Sequence, residues 1–497
     1  MQRCRTRGVV AAAFAATLLF AACALPALAD QPSIVAAVAS TPTGQPLPAG
    51  FVGVSVEYGA LASYAGRDPA AVDPVLVALL RQLAPGQAPV LRIGGDSADA
   101  TWWPVRGAIA PGGVSYRLTP RWLATTRALA AALGAHLIMD INLAGDRPAL
   151  AAAEARAMLA GIGREYIEAF ELGNEPDLYG GLPWYRDLQG HTFRARAAGY
   201  DLHDLISDLS RWRAALPRYE LAGPALSGPA WMGGLGSLIA AEPGLRIVTY
   251  HRYPLLACIT NPASPAFASI PNLLSDSSST GLAQPVAPFV AVAHAHGAQF
   301  RIGELNSAAC TGRAGVSDTF ASALWMLDTL FAFAGVGVDG VNVHTLPGAA
   351  YELFTITHAA AGWEAFVHPE YYGMLMFAQA FPPGAQLLPV TVPAGPVKVW
   401  ATRAADGTVR VVLINKDPAA DHIVALQTPG SPAGATLEWL QAPSVAATTG
   451  VTLGGQTFGA ETTTGLLAGP AVATTVTPSQ GAFSIDLPPA SAVLLTQ

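Results

Sequence analysis

The chain has 497 residues, 52% hydrophobic and only 12% charged, with 27 Lys+Arg against 34 Asp+Glu for a net charge of −7. That length leaves room for two or three domains, or for one large barrel with an appendage, and is ample for a buried core. A net-negative chain with no basic block is a poor candidate for nucleic-acid binding, and the low charge fraction argues against intrinsic disorder.

At the N-terminus Arg3, Arg5 and Arg7 precede an uncharged run from Val9 to Leu25, and Ala27-Leu28-Ala29 stands before Asp30. This is the layout of a secretory signal peptide cleaved near Ala29, so a secreted or periplasmic protein is expected. A single membrane anchor is the alternative, and the loose lipobox-like Phe20-Ala21-Ala22-Cys23 keeps a lipoprotein open. Cleavage would remove three arginines and take the net charge from −7 to −10. No later stretch is long and uncharged enough to span a bilayer, so no stable span is expected after cleavage. Cys4 and Cys23 fall in the leader region. Cys258 and Cys310 remain, and an even pair in an exported protein points to one disulfide, with two separate buried thiols as the alternative. Neither a C-x-x-C pair nor a zinc spacing is present.

From residue 51 the pattern alternates between short apolar runs and Ala-rich stretches of helical period. Val52–Val56 reads as a strand. Asp73–Leu83 reads as a helix with Asp73 as N-cap and Pro74 at its first position. Strand Val90–Ile93, helix Thr119–Leu133, strand His136–Ile141, helix Ala149–Ile162 and strand Ile167–Leu172 follow. After them come helix Leu202–Leu216 and strands Tyr219–Ala222, Ile247–Tyr250, Phe300–Ile302 and Gly340–Val343. About eight strands with helices between several of them predict a (β/α)₈ TIM barrel over residues 51–372, with a doubly wound sheet as the structural alternative. Beyond residue 373 the period changes to two. Val397–Arg403 and Thr408–Asn415 flank Asp406-Gly407 as a hairpin, and Thr436–Trp439 and Phe483–Leu487 add short strands. The expected architecture is therefore an α/β barrel with a C-terminal all-β sandwich over 373–497. Residues 30–50 form an N-terminal segment expected to associate with that β-domain.

Active residues of a barrel sit at the C-terminal ends of its strands. The polar residues there are Glu57 and Tyr58, Asp96 and Asp99, Asp140 and Asn142, Asn174 and Glu175, His251 and Tyr253, Glu304 and Asn306, and Asn342 and His344. This rim is rich in carboxylates and has no Gly-rich phosphate loop or metal triad. Glu175 closes the fourth strand and Glu304 the seventh. Two carboxylates facing each other across a barrel mouth suit retaining glycoside hydrolysis, one as nucleophile and one as acid/base, if they lie ~5–5.5 Å apart. The alternative is a pair of structural ion-pair partners. His294-Ala-His296 lacks a third ligand, so no metal is expected, and no cofactor is implied. Trp102-Trp103 and Trp184-Tyr185 are either sugar-stacking platforms or loop packing.

The segments Gly173-Asn-Glu-Pro176 and Gly303-Glu-Leu-Asn-Ser307 resemble the acid/base and nucleophile motifs of the large clan of (β/α)₈ glycosidases. With Leu91-Arg-Ile-Gly-Gly-Asp-Ser-Ala-Asp99, Val248-Thr-Tyr-His-Arg-Tyr253 and Gly315-Val-Ser-Asp-Thr-Phe320, in this order, the chain resembles glycoside hydrolase family 79, the β-glucuronidase and heparanase family. The resemblance implies a carbohydrate substrate, with Glu175 as acid/base and Glu304 as nucleophile. It places Asn174 near the sugar 2-hydroxyl and assigns Asp99 and His251 to ring hydroxyls. Tyr253 falls beside the nucleophile, and His344 and Tyr351 after the eighth strand become further sugar contacts. One departure stands out. Glucuronidases of the family often carry Tyr-Gly-Gly after the nucleophile to hold the sugar carboxylate, whereas this chain has Ala308-Ala-Cys-Thr-Gly-Arg313. Loop amides or Arg313 are the expected replacements, with Tyr351 as the second carboxylate contact. The rival activities are a β-glucosidase or β-xylosidase of the same clan, or a non-catalytic carbohydrate-binding barrel.

Overall fold

The computed structural model describes residues 34–360, 362–430 and 433–497; the leader read over residues 1–29 lies outside them. Eight parallel strands close into a barrel: Val52–Glu57, Val90–Gly94, His136–Ile141, Ile167–Leu172, Leu221–Leu226, Leu245–Arg252, Gln299–Leu305 and Gly340–Thr345. Helices follow the strands around the outside, and their starts are chemically marked. Asp73 accepts the Val75 amide at 2.8 Å to cap Pro74–Leu83. Thr119 accepts the Trp122 amide at 3.1 Å to cap Pro120–Leu133, which ends at left-handed Gly134. Proline at the first turn and glycine past the end are where each is least costly. Among the described residues no helix is long and apolar enough to cross a membrane.

The barrel interior is polar where strands meet. Arg301 from the seventh strand is buried, donating from Nε to Asn342 Oδ1 at 2.5 Å and from Nη2 to the Gly50 carbonyl at 2.8 Å. A Cβ at Gly340 would collide with its guanidinium, so the eighth strand must open with glycine.

Three sequence expectations are corrected. The fifth strand runs Leu221–Leu226, not Tyr219–Ala222. Pro224 within the strand signals an end, because proline cannot donate to a ladder. Here the ladder to the sixth strand shifts register between Pro224 and Leu226, and the Ala225 amide finds the Thr249 hydroxyl at 3.1 Å. The barrel boundary at 372 cuts a helix, Pro369–Ala380, that packs on Phe320–Gly335. It is buried on nearly every face and so shows no period to follow from sequence. Finally, the hairpin Phe354–Ala359 with Gly362–Val367 follows the eighth strand, where no strands are expected.

The β-domain is a sandwich. Its larger sheet includes Val397–Arg403, Val409–Asn415, Ser491–Thr496 and Ala435–Gln441. Its smaller sheet contains His422–Gln427 and Phe483–Leu487, and Ile34–Val38 pairs in parallel with His422–Gln427. In Val409–Asn415 alternate residues serve two cores. Val411 and Leu413 face the smaller sheet, whereas Val412 and Ile414 join the barrel's core. A strand buried on both faces reads as a continuous apolar run. A buried ion pair, Lys416 with Asp328, crosses from the sandwich to helix Phe320–Gly335, and the Trp400 indole donates to Asp328 at 2.7 Å.

Candidate active site

The floor of the barrel mouth is organised by Arg92, fully buried on the second strand. Its Nε donates to Glu171 at 2.5 Å. Nη1 donates to Glu304 at 2.8 Å and Ser55 at 3.2 Å, and Nη2 to Asn174 at 2.9 Å and Asp140 at 3.2 Å. One guanidinium thereby ties five strands together. Burial pulls its pKa down, but Glu171, Asp140 and Glu304 outweigh that and keep it charged. Such a charge is tolerable inside a protein only when paired and hydrogen-bonded, as here. The sequence reading passed Arg92 over because it lies one turn of pleat below the strand end.

Glu304 stands above Arg92. Its Oε1 accepts from the Tyr253 hydroxyl at 2.6 Å, and its Oε2 lies 3.7 Å from His344 Nδ1 and 4.0 Å from His251 Nδ1. Burial alone would raise its pKa, but the facing His344, His251 and Arg92, with the Tyr253 hydrogen bond, hold it well below the usual carboxylate range. The Tyr253 phenol is pushed well above its ordinary value by burial and then by Glu304, so it remains a donor.

Glu175 is held differently. Its backbone is left-handed, with φ 50° and ψ 52°, a conformation that costs a non-glycine residue energy and is concentrated at functional sites. Pro176 disfavours the right-handed helical alternative, and the Glu175 amide is anchored on the Ala225 carbonyl at 3.0 Å. Its Oε1 lies 3.0 Å from His251 Nδ1. One polar side-chain atom from each of Glu175, His251 and Glu304 lies within 4.8 Å of the other two. His251 therefore bridges the two carboxylates. Burial lowers its pKa, but Glu304 and Glu175 raise it above the ordinary value.

Asp99 is held by the protein on both oxygens. Its Oδ1 accepts the Leu143 and Ala144 amides at 3.0 Å each, and its Oδ2 accepts the Asn174 amide at 3.2 Å and the Tyr179 hydroxyl at 2.5 Å. With both oxygens occupied it fixes the loops that carry Asn174. Asp96 lines the cleft together with Asp99, and Asn174 Nδ2 donates to the Asp96 Oδ1 at 3.0 Å. Desolvation, then the charges of Glu57, Glu304 and Glu175, push the Asp96 carboxyl up to about 7. Glu57 receives the Asp96 and Ser97 amides at 3.1 and 2.8 Å and lies 3.8 Å from His344 Nε2. Both acids stand at strand ends in the sequence, but nothing there separates them from Asp99.

Tyr351 packs near Tyr253 and His344, with ring centroids 6.3 and 5.9 Å apart. A cleft of about 620 Å³ opens beside Glu175 and is lined by Asp96, Asn174, Glu175, Trp184 and Tyr185. Tyr185 also stacks on Phe193 at 4.7 Å, so this aromatic pair both packs its hairpin and faces the cleft. Beyond Glu304, Cys258 and Cys310 are disulfide-bonded. Cys310, Thr311 and Gly312 are successive left-handed residues, and Gly312 lies close against Tyr351. The Arg313 guanidinium stacks over the Phe267 ring at 4.3 Å.

Residues 399–494 match the glycosyl hydrolase family 79 C-terminal beta domain. The chain is a glycoside hydrolase whose C-terminal β-domain matches family 79. The enzyme is similar in fold to a 4-O-α-L-rhamnosyl-β-D-glucuronidase from Fusarium oxysporum, with 21% identity, 93% of this chain and 100% of that chain covered, and a TM-score of 0.72. A family 51 arabinofuranosidase from Xanthomonas axonopodis pv. citri is 15% identical over 93% of this chain and 99% of its own, with a TM-score of 0.66. A bifunctional glucanase-xylanase from a metagenome library is 15% identical over 94% and 99%, with a TM-score of 0.60. No curated protein matches the sequence significantly.

Proposed function

We propose that the enzyme is a retaining β-glycosidase that removes terminal β-glucuronides by double displacement. The observation that carries this reading is the approach of Glu175 and Glu304 to within 4.8 Å. That is the close spacing of a nucleophile and an acid/base; an inverting pair needs ~6.5–9.5 Å to admit a water. Glu304, ionised and steadied by Tyr253 and Arg92, attacks the anomeric carbon. Glu175 gives its proton to the leaving oxygen, then takes one from the water that releases the sugar. His251, bonded to Glu175 and close to Glu304, keeps the two side chains apart and oriented through both steps.

The glucuronide assignment is supported by the family 79 domain and by the activity named for the Fusarium relative. Tyr351 and the Cys310 and Thr311 amides are the groups assigned to the sugar carboxylate, the Gly312 amide being bonded to the Ala308 carbonyl. Export through cleavage near Ala29 belongs to the same reading, and N-terminal sequencing of the mature protein tests it. The substrate is tested by comparing kcat/KM on an aryl β-glucuronide and an aryl β-glucoside. Preference for the glucuronide is expected; preference for the glucoside would return the enzyme to the β-glucosidase alternative.

A further inference from the structure

Asp140 and Glu171 are directly opposite each other on the third and fourth barrel strands, and both reach Arg92. Both are fully buried. Their contacts fall along one edge of the guanidinium: Nε meets Glu171 Oε2 at 2.5 Å and Nη2 meets Asp140 Oδ2 at 3.2 Å. A planar guanidinium commonly offers two such parallel N–H groups to the two oxygens of a single carboxylate. Here two carboxyl groups divide one edge, which brings Oε2 and Oδ2 side by side.

Few donors reach the pair. Asp140 Oδ1 and Glu171 Oε1 are buried without a hydrogen-bond partner. The one side-chain bond that Asp140 accepts is the long one from Nη2, a nitrogen that also serves Asn174 at 2.9 Å. Asp99, buried nearby, accepts four bonds. The Tyr58 hydroxyl is engaged by the Asp140 main-chain carbonyl and leaves the carboxyl unserved. A buried carboxylate with so few donors is costly as an anion. Charge adds to this, because Asp140, Glu171 and Glu304 surround a single guanidinium. Burial, then Glu171, hold the Asp140 carboxyl well above the usual carboxylate range against the pull of Arg92, and Asp99 adds to the rise.

We propose that Asp140 is protonated in the working enzyme, donates from Oδ2 to Glu171 Oε2, and so acts as a positioning residue that leaves Arg92 free to hold Glu304. With that proton in place Arg92 faces two negative charges, Glu171 and Glu304. When Glu304 becomes a glycosyl ester, Arg92 and Glu171 remain as a matched pair. An ionised Asp140 would put a second anion beside Glu171 on the same edge and draw Arg92 away from Glu304. The consequence for turnover rests on Glu304 as nucleophile; the proton on Asp140 does not.

The test reads the proton directly. Infrared spectra of the full mature chain at about pH 8, where exposed carboxyls are ionised, are compared for wild type, Asp140→Asn and Glu171→Gln. Wild type should show an un-ionised carboxyl band that both variants lack; other buried acids are common to all three and cancel in the difference. Asparagine copies the neutral acid, with an oxygen for Arg92 and an N–H for Glu171. Asp140→Ala should therefore lower kcat on an aryl β-glucuronide by roughly 10–100-fold, as for loss of one buried hydrogen bond to a charged group, and Asp140→Asn should recover most of it. An equal band in wild type and Asp140→Asn, a band retained in Glu171→Gln, or a kcat for Asp140→Asn no better than for Asp140→Ala would each overturn the proposal. Failure of the hydrolytic reading shows elsewhere: if Glu304→Gln kept its kcat, the nucleophile assignment would fall while the infrared result stood.

Discussion

Glu175 and Glu304 are the same side chain at corresponding strand ends, yet their surroundings differ. Glu304 is buried among Arg92, His344, His251 and the Tyr253 hydroxyl, a shell that stabilises a carboxylate. Glu175 touches only His251 among these, is set in a left-handed backbone, and lines an open cleft. The difference is what the proposed mechanism requires of two acids in one barrel: cations would keep one ionised as a nucleophile, and an open face would give the other room to pass a proton to a leaving group and to water.

The comparison can be broken most severely at its cationic end. On the proposed mechanism Glu304→Gln removes the nucleophile and is expected to lower kcat by about 10⁴-fold or more, with folding checked by an unchanged thermal transition. Glu175→Gln should cost ~10²–10⁴-fold on a substrate with a poor leaving group. It should cost much less on a nitrophenyl glycoside, which departs without help, so the ratio between the two substrates distinguishes an acid from a nucleophile. Tyr253→Phe deletes one hydrogen bond to an ionised group, worth ~1.5–3 kcal/mol, so a loss of roughly 10–100-fold in kcat/KM is expected. The smallest effect concerns pH. Asp96 is neutral below about 7 and anionic above it. A negative charge gained there repels an anionic substrate, so kcat/KM for a glucuronide should fall as pH rises through about 7. Asp96→Asn should flatten that part of the profile, and a neutral glycoside should show less of it.

Much of this was legible in the sequence, for physical reasons that also explain what was not. Glu175 and Glu304 could be read because strand ends are marked by apolar runs that stop at a polar residue. The different surroundings of Asp96 and Asp99, which both line the cleft, could not, because the Leu143 and Ala144 amides that occupy Asp99 are brought to it by the tertiary fold. Arg92 carries no local signal, since its partners come from four other strands. Helix Pro369–Ala380 was hidden by burial all round, and the fifth strand's end by a proline that a register shift accommodates.

The most direct measurement is covalent trapping. A 2-deoxy-2-fluoro β-glucuronosyl fluoride slows both steps and lets the glycosyl-enzyme accumulate for peptide mass mapping. The mass increase should lie on the peptide that contains Glu304, and wild-type turnover of an aryl β-glucuronide should release the β-anomer first. Label on another residue, or first release of the α-anomer, would contradict the assignment of Glu304 as nucleophile and of the enzyme as retaining.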